Sequence, residues 1–192
     1  MPERNDAAIS FLQTRRSRPA KTLIAPAPTR AELMPLLEMA ARTPDHGKLE
    51  PWRFIVVEKG AMMRLADLTS EAGERLGKSA EDIAKARSQF ELGQLAVVVV
   101  ETQKDSAKIP PLEQTYAAGA VCLALLNAAL ASGWGANWLS GWASHDRGFC
   151  QAAFDLADNE RIAGLIHIAT ESSAPPDRPR PNLEAITSWI AE

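Results

Sequence analysis

Three arginines and a serine lie close together near the N-terminus, in the segment TRRSR at residues 14–18. Guanidinium groups bind phosphate oxygens in a bidentate manner, and a serine hydroxyl adds one more donor. Arg15, Arg16 and Ser17 could therefore hold a phosphate group. The alternative is a solvated basic helix end, where positive charge offsets the helix macrodipole. Taken by itself, this short segment favours the alternative.

The segment RTPDHGKLEPWRFIVVE, residues 42–58, places a histidine in a polar turn that leads into an apolar run. His46 could be a base, a metal ligand or a group that contacts a cofactor. A metal site needs partners at ligand spacing, and the other histidines, His145 and His167, are single, so we expect no metal. No motif supports a cysteine–histidine nucleophile. A loop residue that caps nearby backbone groups is the simplest alternative, although the segment carries more polar side chains than a turn requires.

A third segment, GWGANWLSG at residues 133–141, combines small residues with two tryptophans. Small residues allow a flat ring to lie against the backbone. The alternative is a helix that ends at Gly133 and leads into a buried strand, which explains this glycine but not the residues after it. Neither G-x-G-x-x-G nor G-x-x-x-x-G-K-[ST] occurs, which argues against the common dinucleotide and triphosphate loops.

The elements that must position these residues are visible as apolar patterns. The predicted core strands are FIVVE (54–58), LAVVVVE (95–101) and RIAGLIHIAT (161–170), with a short strand or turn over 135–141. The predicted helices cover residues 5–15, 61–76, 79–90, 111–132 and 146–157. Such alternation predicts an α/β or α+β domain.

One further helix has a clear start. Thr29 and Glu32 form a capping-box pattern, and Pro44 is expected to stop the helix. Pro35 sits early in this helix and costs little if it lies in the first turn.

Size and composition limit the classes of protein. The chain has 192 residues, of which 46% are hydrophobic and 23% charged, which predicts one globular domain. Its net charge of −3 argues against general nucleic-acid binding. No apolar N-terminal signal is visible. Polar residues and glycines interrupt the apolar stretch 117–139, so it predicts a buried helix and not a membrane span. Cys122 and Cys150 form no C-x-x-C pair, and a reducing cytoplasm is the expected location.

Four motifs, in this order and spacing, resemble the nitroreductase family of FMN-dependent oxidoreductases, and most closely its short, single-domain NAD(P)H nitroreductases. They are RRS after the first helix, R-x-PDH-x-K-x-x-PW-x-F before the first core strand, P-x-E-Q-x-x-A-A-G-A at the start of the central helix, and G-x-G-x-x-W-x-S-G after it. The likeness spans about residues 5–170.

The resemblance implies an α+β fold of three layers, in which helices flank a central mixed, mainly antiparallel sheet. It also implies an obligate, intertwined homodimer with FMN at the subunit interface. Residues 1–192 would form a single domain, with the tail 171–192 packing on the partner subunit. Apolar Ile186, Trp189 and Ile190 in this tail need a covering surface.

The resemblance assigns roles to residues from both chains. Those that would hold the FMN phosphate and ribityl chain are Arg15, Arg16 and Ser17. Those that would contact the flavin ring are Arg42 and His46, from the partner chain, and Trp138, Leu139 and Ser140. The segment near which the nicotinamide nucleotide would approach is Ala128, Ala129, Leu130, Ala131, Ser132 and Gly133. Arg178 and Arg180 are further candidates for the phosphate, with an exposed basic tail as the alternative.

The implied activity is ping-pong hydride transfer from NADH or NADPH, through FMN, to a nitroaromatic or quinone-like acceptor. The cofactor carries this chemistry, so no catalytic side chain is implied. Many members carry a basic residue two positions after the motif serine, where this chain has Pro19, and we hypothesise that Lys48 supplies the missing charge near the ring. Dehalogenation, oxygen-dependent flavin breakdown, or flavin binding without turnover by a sensor or storage protein remain as alternatives.

Overall fold

A central antiparallel sheet organises the protein, as seen in a computed structural model that describes residues 3–191. The predicted domain, residues 1–192, therefore has its first two residues and its last residue outside the described range. The strands are β1 (Leu23–Ile24), β2 (Trp52–Glu58), β3 (Leu95–Thr102), β4 (Gly135–Leu139) and β5 (Glu160–Glu171).

The strand order is β1–β5–β3–β2, and β4 pairs with β5 next to β1. Every strand pair within residues 3–191 is antiparallel. The fold is therefore α+β, as predicted. The described part of one chain contributes no parallel strand pair that would make the sheet mixed. Strand β2 lies at an edge, because its only partner within the described residues is β3.

Helices cover the sheet. The α-helices in residues 3–191 are α1 (Asp6–Thr14), α2 (Arg30–Ala41), α3 (Lys59–Arg75), α4 (Ala80–Glu91), α5 (Pro111–Ala131), α6 (Arg147–Phe154) and α7 (Leu183–Ile186). The ends of α1 and of α3 to α6 agree with the predicted ranges to within about three residues, which is the usual uncertainty of such boundaries. Strand β1 and helix α7 were not predicted.

Helix α2 begins at the expected capping box. Thr29 Oγ1 accepts from the Glu32 backbone N–H, and Glu32 Oε2 accepts from the Thr29 backbone N–H at 2.8 Å. The helix ends at Ala41, before Pro44. The condition for a low cost at Pro35 is not met: since Arg30 is the first helical residue, Pro35 lies in the second turn, where the helix lacks the hydrogen bond that a backbone N–H would donate to the Ala31 carbonyl.

Alternation along β3 divides the core into two layers. Ala96, Val98 and Val100 pack with buried residues of α3, α4 and α6, whereas Val97 and Val99 pack with those of α2 and α5. Successive side chains of a strand point to opposite faces of the sheet, so a continuous apolar strand needs cover on both sides. The resulting order of helices, sheet and helices is the expected three-layer fold.

Helix α5 is the central element of one layer. It is long and apolar enough to cross a membrane by length and composition, but half of its most apolar window is buried inside the fold. It packs against α2, β3, β4 and β5. A buried core helix can be as long and as apolar as a membrane span. Because α5 packs inside the fold, we interpret it as the predicted core helix.

The tail after β5 carries apolar side chains that nothing in the described chain covers. Trp189 and Ile190 are 90% and 92% exposed, and Leu183 and Ile186 on α7 are also exposed. Exposing several large apolar residues in one short segment is costly in water.

Candidate functional site

The segment after α1 forms a cluster of cations. Arg15 ends the helix, and its Nη2 donates to Ser17 Oγ at 3.2 Å. The Nε atoms of Arg15 and Arg16 are buried and lack a hydrogen-bond partner within residues 3–191. A buried donor without an acceptor is costly, so these two atoms are suited to a ligand that accepts hydrogen bonds.

The tail brings a further cation to this cluster. Burial lowers the pKa of Arg15, and the nearby charges of Arg180 and Arg16 lower that pKa further. Arg180 also pairs with Asp177 at 3.1 Å, but Arg15 and Arg16 have no ion pair within the described residues. Three neighbouring cations repel one another when too few acidic groups lie near them, and a bound anion would relieve that repulsion.

The second tail arginine shows no such link to the cluster. Arg178 is exposed, and its backbone N–H donates to Asp177 Oδ1 at 2.8 Å, the same oxygen that pairs with Arg180. Its charge is not among those that lower the pKa of Arg15. Within the described residues, the structure therefore links Arg180, but not Arg178, to the group of Arg15, Arg16 and Ser17.

Arg18 attaches the cationic segment to β4. Its backbone N–H donates to the Ala136 carbonyl at 2.8 Å, and its side chain donates to Glu171 Oε2 at 2.6 Å. The Asn137 side chain donates in turn to the Arg18 carbonyl at 2.6 Å. These bonds place the cluster beside the strand that carries the predicted ring-contacting residues.

The three predicted ring contacts on and after β4 do not share one face. Trp138 and Leu139 are consecutive strand residues, so their side chains point to opposite sides of the sheet. Trp138 lies where a side chain at Gly164 would be, next to Cys122 of α5. Leu139 packs against the core formed with α3, α4 and α6. A flat ring could therefore contact the main chain of this segment, or one of the two side chains, but not both.

A cavity of about 290 Å³ adjoins the end of β4. Ring contacts were predicted from this segment, but a contribution from α4 was not. The residues that line the cavity are Leu139, Ser140, Gly141 and Trp142, together with Asp82, Lys85, Ala86 and Gln89 of α4. The Gln89 Oε1 atom is buried without a hydrogen-bond partner in residues 3–191. Helix α4 carries no sequence signal for such a role, because lysine and glutamine are ordinary residues on a helix surface.

The loop around His46 has an unusual backbone. Gly47, Lys48 and Glu50 have φ angles of 75°, 54° and 48°, in the left-handed region. The Asp45 carboxylate holds the loop closed by accepting from the Leu49 and Glu50 backbone N–H groups at 2.6 and 3.1 Å. Non-glycine residues adopt this region at a cost, and such strain is found most often at functional sites.

The histidine itself has a partner that sequence reasoning missed. His46 Nδ1 lies 2.7 Å from Glu113 Oε2, in the first turn of α5. Glu113 belongs to the P-x-E-Q motif, but 67 positions separate it from His46, so no local pattern could pair them. Arg42 ends α2 and is exposed, as is Lys48.

The His46 loop and β4 meet α5 at different levels. His46 contacts Glu113 in the first turn of the helix, whereas Trp138 on β4 lies next to Cys122, near the middle of the helix. At 1.5 Å per residue, Glu113 and Cys122 are about 14 Å apart along the axis. Within the described residues, no hydrogen bond or ion pair joins Arg42, His46 or Lys48 to the arginine cluster.

The segment predicted to meet the nicotinamide nucleotide forms the end of α5. Ala128 and Ala129 are buried, at 6% and 0% exposure, so their side chains are not available to a ligand. The predicted contact with the nucleotide is therefore restricted to the exposed end of the segment, at Ala131, Ser132 and Gly133. A helix C-terminus presents carbonyl oxygens and partial negative charge, which suits hydrogen-bond donors better than phosphate groups.

Comparison with known proteins agrees with this architecture. The Nitroreductase family profile matches residues 12–170. The Escherichia coli K12 protein "Putative NAD(P)H nitroreductase YdjA" is 32% identical over 181 residues, which cover 94% of this chain and 92% of that protein.

Solved structures show the same fold at lower identity. A nitroreductase-like family protein from Bacillus cereus superposes with a TM-score of 0.79 at 23% identity, covering all of both chains. A variant of the FMN and NADPH-dependent nitroreductase NfnB, from Sphingopyxis sp. strain HMH, gives 0.72 at 17% identity and covers 96% of this chain and 99% of its own. With its fold, the order of its motifs and the match over most of its length, the chain belongs to the nitroreductase family.

Proposed function

We propose that the protein is an FMN-dependent oxidoreductase that transfers a hydride from NADH or NADPH to a small acceptor, such as a nitroaromatic compound or a quinone, by a ping-pong mechanism. The observation that carries this proposal is the cluster of Arg15, Arg16 and Arg180, which has buried, unpartnered donors and too little negative charge. Two names support it: that of NfnB, a structural neighbour, describes an FMN and NADPH-dependent nitroreductase, and that of the Escherichia coli relative describes an NAD(P)H nitroreductase.

The residues present fit the phosphate of FMN. Arg15, Arg16 and Arg180 would neutralise it, and the Ser17 hydroxyl would add a neutral donor. The main chain from Trp138 to Ser140 would position the ring, because Arg18 holds the arginine segment against β4. FMN, when bound, would supply the chemistry of hydride transfer, and the side chains would bind, orient and exclude water.

We further propose that the complete site needs two copies of the chain. Arg42, His46 and Lys48 would reach the cofactor from the partner subunit, since within the described part of one chain no hydrogen bond or ion pair joins them to the arginine cluster. An uncovered face of α5 supports a homodimer: Leu112, Tyr116 and Leu123 are exposed at helical spacing. A second copy packed on this face would bury them.

The tail, from residue 171 onward, would pack on the partner as part of the same single-domain assembly. An apolar groove of about 530 Å³ lies beside the edge strand β2, with Leu33, Met34 and Leu37 of α2 and Val56 in its lining. The exposed apolar residues of the tail match this surface in character, and an added chain segment would also cover the free backbone groups of the edge.

The nicotinamide nucleotide would approach through the exposed end of α5, at Ala131, Ser132 and Gly133. We propose a cytoplasmic location, which suits the free and buried Cys122 and Cys150, and we propose neither a nucleic-acid nor a membrane partner.

An absorption spectrum followed by anaerobic reduction tests the function. Purified protein, reconstituted with FMN if necessary, should be yellow, and NADH or NADPH should bleach the colour. Adding nitroaromatic and quinone acceptors under the same conditions should restore it, and the rates would identify the preferred donor and acceptor. A yellow protein that neither nucleotide bleaches would indicate a flavin-binding protein without turnover. A colourless protein that cannot be reconstituted with FMN would refute both functions.

A further inference from the structure

We propose that Glu113 is a positioning residue for His46: it fixes the imidazole so that Nε2, and not Nδ1, meets the FMN bound mainly by the partner subunit. This inference rests on the proposed function and deepens it. Its basis is the 2.7 Å contact between His46 Nδ1 and Glu113 Oε2, which joins two motifs that are far apart in the chain.

The first turn of α5, which carries Glu113, is held in place by the residues next to it. The buried Gln114 side chain forms two hydrogen bonds with the Lys104 backbone, at 2.8 and 2.9 Å. Thr115 Oγ1 donates to Glu101 at 2.8 Å. Pro111 is the first residue of the helix, where its fixed φ favours helix initiation. The first turn of α5 is therefore a fixed platform from which the Glu113 carboxylate projects.

The His46 loop is fixed to the same platform. A side chain at position 47 would overlap the Ile109 side chain, two residues before α5, so glycine lets the loop pack closely there. The Asp45 carboxylate closes the loop from within. Exposed pairs of charged groups contribute little when both partners are mobile. Here the backbone on each side is held, so the His46–Glu113 contact can specify one ring orientation.

The position of the imidazole proton follows from the hydrogen-bond acceptor, which is the Glu113 carboxylate. A carboxylate accepts hydrogen bonds, so Nδ1 carries the proton that it binds, and the neutral ring then has a free lone pair on Nε2. Nε2 would accept a hydrogen bond, which matches a ring N–H or ribityl hydroxyl of FMN and not its phosphate oxygens. His46 would thus recognise the flavin part of the cofactor, while the arginine cluster recognises the phosphate.

Nitrogen-15 NMR of the imidazole groups, above the pH at which they protonate, tests the geometry without a cofactor. The His46 signals, assigned by their loss in His46→Ala, should report Nδ1–H in the wild type. They should change toward Nε2–H in Glu113→Ala. Wild-type signals that report Nε2–H would overturn the proposal.

FMN affinity tests the consequence. His46→Ala and Glu113→Ala should each raise the FMN Kd by about five- to tenfold, the effect of one hydrogen bond. The double variant should be no weaker than either single variant, because Glu113 acts through His46. Glu113→Gln should retain most of the affinity, since its amide oxygen can accept from Nδ1.

The controls separate this inference from the function on which it rests. Glu74→Ala removes an exposed carboxylate from α3 and should leave the FMN Kd unchanged. Multiplying effects in the double variant, or an unchanged Kd in Glu113→Ala, would overturn the role of Glu113 while leaving the function intact. A wild-type protein that binds no FMN would instead refute the proposed function, and with it the role of the pair.

Discussion

Asn137 holds the backbone of Arg18: its side-chain amide donates to the Arg18 carbonyl with 2.6 Å between the two heavy atoms. This bond, together with the one from the Arg18 N–H to Ala136, joins the end of α1 to β4. As a result, Arg15, Arg16 and Ser17 are held beside the strand that carries Trp138 and Leu139, although more than 100 positions separate the two segments.

Arg15→Ala and Arg180→Ala should each weaken FMN binding by tenfold or more, because a phosphate contact to arginine is a charge-assisted hydrogen bond. Riboflavin, which lacks the phosphate, should bind both variants as well as it binds the wild type. Fluorescence titration of both flavins measures this, and Arg178→Ala is the matched control. Equal losses for FMN and riboflavin would argue against a phosphate site here.

Leu123→Asp should favour the monomer, because it places a charge in the middle of the proposed α5 interface. Analytical ultracentrifugation should show a lower sedimentation coefficient, and the FMN Kd should rise with it because the site would lose its second chain. Leu92→Asp, at a similarly exposed leucine on the end of α4, serves as the control. A Leu123→Asp protein that remains a dimer would place the interface elsewhere.

Lys48→Ala tests the hypothesis that this lysine supplies the positive charge near the flavin ring. Removing a nearby cation should lower the two-electron reduction potential by about 15–30 mV, which corresponds to roughly 1 kcal/mol. Spectroelectrochemical titration measures the change, with Lys104→Ala as the control. An unchanged potential would exclude Lys48, and Lys85, which lines the cavity beside Ser140, would become the next lysine to test.

His167 should make the fold sensitive to acid. Burial lowers the pKa of His167 to about 4, whereas an unfolded histidine has a pKa of about 6.5. Between these values the unfolded chain binds a proton that the folded chain does not, so the free energy of unfolding falls as the pH is lowered. The loss should reach roughly 3 kcal/mol at pH 4.

Denaturant unfolding from pH 7 to pH 4 measures this effect. His167→Leu should lose stability less steeply than the wild type over this range, whatever its stability at pH 7. His145→Ala, at an exposed histidine, should show the wild-type slope. Parallel curves for His167→Leu and the wild type would show that the burial of this ring is not the cause.

Local patterns predicted most of the fold, and the errors have identifiable causes. The apolar runs and the Thr29–Glu32 capping box were sufficient for the long elements, because those signals are local. Strand β1 was missed because its two residues are a strand only through pairing with Thr170 and Glu171 of β5. Helix α6 ends earlier than predicted because Asp155 adopts a left-handed conformation, with φ of 51°.

The candidate site was less predictable, because its contacts are between distant segments. The sequence identified the segments of Arg15 and His46, but not Glu113 or Gln89, whose importance depends on what the fold places beside them. The opposite directions of Trp138 and Leu139 were predictable: once GANWL is assigned as a strand, neighbouring side chains must alternate.

The separation of the arginine cluster from the His46 loop within one chain has a genetic consequence. If each cofactor takes its arginines from one chain and its histidine from the other, two different defective chains can compensate for each other. An Arg15→Ala chain paired with a His46→Ala chain contains one site with both defects and one site with neither. Random pairing of equal amounts would therefore leave about a quarter of all sites intact. At an FMN concentration too low to fill the sites of either variant alone, two such alleles would complement one another within a single cell.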